Sequence, residues 1–178
     1  MILKADNGFA INPAGYIIHS AIHGAREDAG CVIHTHTRAS VAVSAGEAGL
    51  RPLSQSAMFF HERVSCHDFE GSAINPDERQ RLVDDLGAND VMILRNHSTL
   101  TVGRSVAHAF LMAYQFENGC RIQVDAMAAG PVIEPPREVC ATVPVTASDP
   151  RFSSGAGAGL EWQALLRMLD RKDPGYAD

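Results

Sequence analysis

The spacing of apolar positions along the first hundred residues alternates between a helical period and a strand period. Across residues 13–27, apolar side chains recur every three or four positions, which predicts a helix that begins at an Asn12 N-cap. Residues 31–36 are rich in branched side chains and predict a strand, and residues 91–94 form a short apolar run typical of a buried strand. Because helical and strand-like segments alternate, the pattern favours an α/β layered domain.

Shorter elements fill the space between these segments. The pattern predicts helices at residues 39–47 and 76–87, a strand at 100–103, and a strand or hairpin at 1–11. Residues 50–75 are predicted to be a mixture of short strands and loops.

A long helix is predicted to follow, with Ser105 as its N-cap and its end at about Ala128. Its buried side is predicted to consist of Val106, Ala109, Phe110, Ala113, Cys120, Val124 and Met127.

The sequence changes character after this helix. We therefore divide the chain into a domain at 1–130 and a Pro/Gly-rich C-terminal segment at 131–178. Prolines indicate an irregular segment, and the small residues at 153–159 are typical of a linker. An amphipathic helix is predicted at 160–170, where Trp162 is expected to dock on the domain or on a neighbouring subunit.

Composition and charge exclude several classes of function. The net charge is −6 and no cluster of Lys and Arg occurs, so nucleic acid is not expected as a partner. No stretch reaches the ~18 apolar residues of a membrane span, and the first residues do not resemble a signal peptide. The four cysteines contain no CxxC pair. A cytoplasmic protein with reduced thiols and no membrane segment is therefore expected.

Two of the eight histidines, His34 and His36, lie two positions apart on the predicted strand at 31–36. Side chains at i and i+2 of a strand project from the same face, so the two imidazoles form half of a site for Zn²⁺ or a similar ion. A His-x-His pair that only lines a polar surface fits the spacing equally well.

His97 follows the predicted buried strand at 91–94, which is where α/β proteins usually bind ligands. Taken alone, however, it is more typical of a turn histidine without a ligand. His19 and His23 share a helix face and are expected to be partly solvated or satisfied in the core, and His108 is expected to be structural.

Four motifs occur in a fixed order. They are Asn12-Pro13-Ala14-Gly15-Tyr16, His19-Ser20-Ala21-Ile22-His23, Val32-Ile33-His34-Thr35-His36-Thr37 and Ile93-Leu94-Arg95-Asn96-His97. Together with the C-terminal stretch at 162–174, they resemble the class II aldolase/adducin family, and in particular its adducin-like bacterial branch. The resemblance implies a three-layer α/β/α domain that lacks the usual N-terminal part.

The resemblance also implies a metal-dependent chemistry. Family enzymes such as L-fuculose-phosphate aldolase hold a divalent metal, usually zinc, with positions that match His34, His36 and His97. The metal polarises a carbonyl and stabilises an enediolate. His19 or His67 is a weaker candidate for a fourth ligand.

Two catalytic side chains of the family aldolases have no counterpart here. Gly15 occupies the position of their glutamate, and glycine can neither bind metal nor transfer a proton. Their tyrosine belongs to a loop that corresponds to residues 60–72, where this chain has no tyrosine.

That loop contains the best local substitutes, His67 and Asp68, with Glu70 beside them. We predict His67 and Asp68 as catalytic residues, although a solvated polar surface also fits the loop.

The family's phosphate-binding N-terminal region has no counterpart either, so the sequence begins inside a longer gene or the protein lacks that phosphate pocket. Two functions stay open. One is a lyase, aldolase or epimerase acting on a small carbonyl substrate, and the other is a non-catalytic, adducin-head-like assembly module. Since family aldolases are cyclic tetramers, a homo-oligomer, most simply a tetramer, is expected.

Overall fold

The computed structural model describes residues 11–148 and 159–177, and its centre is a four-stranded sheet. The strands are β1 (Cys31–Thr35), β2 (Val64–His67), β3 (Val91–Leu94) and β4 (Ser98–Gly103). Their order is β1-β4-β3-β2. Strand β4 pairs antiparallel with both β1 and β3, whereas β2 runs parallel to β3. The strands predicted at 31–36, 91–94 and 100–103 are confirmed.

Helices occupy most of the remaining described chain. Asn12 caps the first helix as predicted, because its side chain accepts a hydrogen bond from the Ala14 N–H. Gly87 ends the fourth helix with a positive φ of 54°. The helices are α1 (Pro13–Ala25), α2 (Arg38–Ser44), α3 (Gln55–Met58), α4 (Glu78–Leu86), α5 (Val106–Ala129), α6 (Arg137–Cys140), α7 (Thr142–Ser148) and α8 (Gly159–Lys172), with a 3-10 turn at Pro174–Ala177.

The sheet separates two apolar clusters, which makes the domain a three-layer α/β/α structure. Met92 and Leu94 of β3 pack in one cluster with α1 and α4, and Val91 and Ile93 pack in the other with α2 and α5. This alternation follows from the two-residue period of a strand. All four residues are buried, as predicted for a strand covered on both faces.

The predicted buried side of α5 is wrong in part. Ala109 and Cys120 are buried, but Val106, Phe110 and Met127 are among the exposed large hydrophobic residues. The face that packs inward instead contains Phe116, Gly119 and Gln123. Gly119 lies against Ala57 of α3. The close packing of α3 on α5 therefore determines which side of α5 is buried.

The segment after α5 is more regular than its prolines indicate, because it contains α6 and α7. Cys140 is fully buried, and Arg51 forms an ion pair with Glu134. The predicted division of the chain at residue 130 stays a prediction, and the elements predicted at 1–11 and 153–159 lie mostly outside the described residues. Within those residues, no helix combines the length and apolarity needed to cross a membrane.

Candidate functional site

Three histidines meet at one end of the sheet because of the strand order. His34 lies in β1, and His36 follows directly after that strand. His97 lies in the turn between β3 and β4, where Leu94 pairs with Ser98. Since β4 lies between β1 and β3, and its start pairs with the end of β1, the turn is held beside the His-x-His pair.

The three imidazole rings are in mutual contact. Their centroids are 4.7 Å apart for His34 and His36, 5.0 Å for His34 and His97, and 4.6 Å for His36 and His97. One ring nitrogen from each residue lies within 4.8 Å of the other two. The two nitrogens of the strand pair, His36 Nε2 and His34 Nε2, are 2.8 Å apart. Three ring nitrogens that could hold a metal ion therefore converge on one point.

Hydrogen bonds fix which nitrogen His34 presents to this point. Its Nδ1 lies 3.2 Å from the carbonyl oxygen of Thr99 and 3.2 Å from the hydroxyl oxygen of Ser98. A carbonyl oxygen only accepts, so Nδ1 of the neutral ring carries the proton and Nε2 presents its lone pair. Contacts of this kind orient metal-binding histidines in proteins.

Burial favours the neutral form of two of the three rings, because it lowers their pKa values. Burial, followed by the neighbouring His97 and His36, lowers the pKa of His34 to about 4. Burial and His36 also lower the pKa of His97 below its ordinary value. Metal ions bind neutral imidazole, so both residues are in the ligating form at neutral pH.

The turn that contains His97 is anchored to the end of α2. The Asn96 N–H donates to the Ser44 carbonyl oxygen over 3.2 Å, and Arg95 Nη1 donates to the Gly46 carbonyl oxygen over 2.8 Å. Asn96 adopts a positive φ of 54°, a conformation that asparagine tolerates better than most residues. These contacts set the position of His97.

The chain just after His36 is held by contacts of Thr37 and Glu117 that were not predicted from the sequence. Thr37 caps α2, and its hydroxyl oxygen accepts from the Ser40 N–H. The same hydroxyl lies 2.5 Å from Glu117 Oε2 on α5. The cap was detectable from Thr37 at the predicted helix start. The Glu117 contact was not, because it spans eighty positions of the chain.

The structure places the two predicted catalytic residues differently. His67 ends β2 and its side chain is only 4% exposed, whereas Asp68 is exposed. His67 Nδ1 lies 2.6 Å from Asp85 Oδ2. Both His67 and Asp68 line a small cavity that His97 also lines. His67 therefore borders the three-histidine site, but its ring is not part of the ligand cluster.

Residues on α1 flank the site without joining that cluster. His19 is half-buried, and burial followed by His23 lowers its pKa. His19 also makes a small contribution to the lowered pKa of His34. Gly15 lies in the first turn of α1 and offers no side chain to the site.

Several known proteins resemble this chain in sequence and in fold. The profile of the Class II Aldolase and Adducin N-terminal domain matches residues 2–124. A solved structure of an aldolase II superfamily protein from Pseudomonas syringae superposes with a TM-score of 0.89 at 47% identity, over 99% of this chain and 70% of that one. Alpha-adducin of Rattus norvegicus is 36% identical over 182 residues, which cover 94% of this chain and 24% of adducin.

A more distant enzyme shares the fold. L-fuculose 1-phosphate aldolase from Glaciozyma antarctica PI12 superposes with a TM-score of 0.76 at 24% identity, over 96% of this chain and 66% of that one. The chain spans about two thirds of the length of its bacterial relatives among the class 2 aldolases, 67% and 66% for two of them.

Proposed function

This chain belongs to the class II aldolase and adducin family, and on that premise we propose that it binds a divalent metal and acts on a small carbonyl substrate. The proposed reaction is that of a lyase, aldolase or epimerase. The observation that carries the proposal is the convergence of His34, His36 and His97 at one point.

The donor set suits zinc. Three neutral imidazoles with open coordination positions are a common arrangement of catalytic Zn²⁺. The lowered pKa values of His34 and His97 keep those two rings in the binding form. When bound, the ion would polarise a substrate carbonyl and stabilise the negative charge of an enediolate.

The protein's own residues have separate tasks. The contacts of His34 with Thr99, and the anchored turn of His97, keep the ligands in place. Proton transfer needs another side chain, because Gly15 supplies none. We assign it to His67 or Asp68, which share a cavity with His97.

The changes at Gly15 and in residues 60–72 favour an altered reaction. A positioned acid or base typically contributes ~10²–10⁴-fold to a rate. We therefore expect negligible cleavage of L-fuculose 1-phosphate. The substrate class we favour is an unphosphorylated hydroxy-ketone or 2-oxo acid.

Elemental analysis followed by an assay tests the proposal. Purified protein should contain about one zinc or similar ion per chain. Zinc-loaded protein would then be incubated with L-fuculose 1-phosphate and a panel of hydroxy-ketones and 2-oxo acids, with chelator controls. Turnover that survives the chelator would contradict the metal mechanism, and rapid fuculose 1-phosphate cleavage would contradict the role given to Gly15.

A second function is a non-catalytic assembly module. Its support is the 36% identity to alpha-adducin, a protein of which this chain covers 24%. Folded, metal-free protein with no turnover of the panel would favour this function.

The oligomeric state and the cellular location are also proposed from the family membership. We propose a homo-oligomer, most simply a tetramer, in the cytoplasm. Cys31, Cys66, Cys120 and Cys140 are all unpaired thiols, which fits a reducing compartment. No nucleic-acid partner is proposed.

A further inference from the structure

His67 links the interior of the protein to its surface through a carboxylate. The imidazole is 4% exposed, while the side chain of its partner Asp85 on α4 is 43% exposed. The distance of 2.6 Å between Nδ1 and Oδ2 is that of a charge-assisted hydrogen bond. One end of the ring is therefore in direct contact with a group that exchanges protons with solvent.

The other end of the ring faces a buried carboxylate. Nε2 lies 3.4 Å from Glu78 Oε1, and the Glu78 side chain is 6% exposed. Among the described residues, no group stands in hydrogen-bonding geometry with Nε2. The ring nitrogen and the carboxylate therefore face each other inside the protein without a hydrogen bond between them.

Other charged groups around His67 are already engaged. Glu70 Oε1 is 4.0 Å from Nε2, but both Glu70 oxygens accept hydrogen bonds from Arg81. The Arg95 side chain donates to the Gly46 and Glu47 carbonyl oxygens. Glu78 is therefore the carboxylate that is available to Nε2.

A small cavity borders both this pair and the three-histidine site. His67, Glu78 and His97 line it, and its volume is about 10 Å³, which is room for one water molecule. A water molecule in this cavity would therefore lie beside both the His67–Glu78 pair and His97.

We propose that His67, with Asp85 at Nδ1 and Glu78 beside Nε2, forms a proton relay for this site, an inference that rests on the proposed function. When the C–H bond beside the substrate carbonyl breaks, its electron pair stays on the substrate as the enediolate. His67 Nε2 receives the proton, directly or through one water, while Asp85 holds the Nδ1 proton in a hydrogen bond and offsets the positive charge of the ring. The Nε2 proton then exchanges with solvent through the cavity, and a solvent proton returns from Nε2 to the enediolate. Glu78 is a positioning residue that keeps Nε2 directed at the cavity.

Proton exchange of a simple hydroxy-ketone provides the test. Zinc-loaded protein would be incubated with dihydroxyacetone in D₂O, and loss of the methylene proton signal followed by NMR. Asp85→Asn should slow proton exchange at saturating ketone by about 10- to 100-fold, a smaller loss of rate than removal of the acid or base itself would cause. The KM should stay within about twofold of the wild-type value. Added formate should restore at least about tenfold of the rate in Asp85→Ala, because position 85 is open to solvent.

Asp84 supplies a matched control on the same helix. Its carboxylate accepts from Gln80 Nε2 and so undergoes the same loss of charge without touching His67. Asp84→Asn should exchange dihydroxyacetone protons within about twofold of wild type. Equal rates for Asp85→Asn and wild type, or formate rescue of Asp84→Ala, overturn the relay.

A second measurement separates the relay from the proposed function. Acetohydroxamate presents two oxygens like those of an enediolate, and its binding to zinc-loaded protein should shift the His67 Nε2 signal in ¹⁵N NMR. A wild-type protein that exchanges no dihydroxyacetone protons overturns the proposed function for this substrate class. In that case the relay is tested by the His67 Nε2 signal alone. A shift of this signal on binding of acetohydroxamate supports the relay, and an unchanged signal overturns it.

Discussion

The three histidines of the site differ in how firmly each ring is held. His34 is oriented by Thr99 and Ser98, and His97 by a turn anchored to α2. His36 is exposed and follows the end of its strand. Two rings with defined contacts and one exposed ring would let an ion enter the proposed site without rearrangement of the sheet.

Removal of one of the firmly held ligands should abolish tight metal binding. His97→Ala is expected to lower zinc affinity by at least about 100-fold. Substitution of a residue that only hydrogen-bonds to a metal ligand already costs up to about 100-fold, and loss of a ligand itself should cost at least as much. Competition with a chromophoric chelator measures this. His23→Ala, an exposed histidine on α1 whose ring bonds the Ala29 carbonyl oxygen, should stay within about twofold. Stoichiometric zinc in His97→Ala would contradict the assignment.

Acid should destabilise the metal-free protein through His34. Its pKa is about 4 in the folded chain and 6.5 as the ordinary value, so between these limits the unfolded chain binds the extra proton. The stability from this residue is complete above pH 6.5 and is lost as pH falls towards 4. Urea midpoints measured in chelator from pH 7.5 to 4 should fall, and His34→Gln should flatten part of that fall. A profile unchanged by the substitution would refute this.

At the residue scale, the sequence predicted that three histidines would lie together but not what surrounds them. The His-x-His pair and the polar residue after a buried strand are local signals, and the family resemblance joined His34, His36 and His97 into one set. The partners Glu117 and Asp85 reach the site from α5 and α4, and only the packing of those helices brings them there. No local pattern encodes such contacts.

Among the elements, the junction of β4 with α5 depends on one glycine. A Cβ on Gly103 would lie 2.3 Å from the Ala109 backbone nitrogen, which no rotamer can relieve. Gly103→Ala is therefore expected to destabilise the fold by about 1–3 kcal/mol, the usual cost of forcing extra atoms into a packed core. Urea unfolding provides the measurement.

Gly24 on α1 is the matched control. A Cβ there meets no atom within 4 Å, and alanine favours a helix over glycine. Gly24→Ala should raise stability by about 0.5–1 kcal/mol. A Gly103→Ala protein as stable as wild type would show that α5 can shift away from the sheet.

Elements with a single clear periodicity of apolar residues were predicted well. Elements whose buried side depends on contacts with other elements were not. Helix α1 and strand β3 follow from apolar spacing alone. Helix α5 does not, because it buries Gly119 under α3 and Gln123 under the loop at 49–51, where the Gln123 side chain bonds Gly49 and Arg51. Glycine and glutamine do not contribute to an apolar periodicity, so the sequence pattern did not mark positions 119 and 123 as buried. The order of the strands likewise depends on long-range pairing.

For the whole molecule, exposed apolar side chains favour assembly. Tyr114 on α5 is 51% exposed, and one turn earlier Phe110 contacts Trp162 of α8 at a ring distance of 5.6 Å. We expect a tetramer by light scattering at micromolar concentration. Tyr114→Arg should shift the protein to smaller species.

Tyr176 is the control for that substitution. It is 42% exposed and lies outside α5, where its hydroxyl bonds Asp170. Tyr176→Arg should leave the assembly unchanged. A clean wild-type monomer would contradict the predicted oligomer.

Metal binding by three histidines that only the folded sheet brings together, as proposed, would tie metal supply to the survival of the protein in a cell. His36 and His97 are some sixty residues apart in sequence, so an ion that binds both recognises only the folded sheet. Free zinc at a hundred times its dissociation constant would add about 2.7 kcal/mol to the free energy of unfolding. Proteases digest the opened chain, and its population would drop about a hundredfold. Zinc starvation should therefore shorten the lifetime of this protein, and pulse-chase degradation with and without a chelator would reveal it.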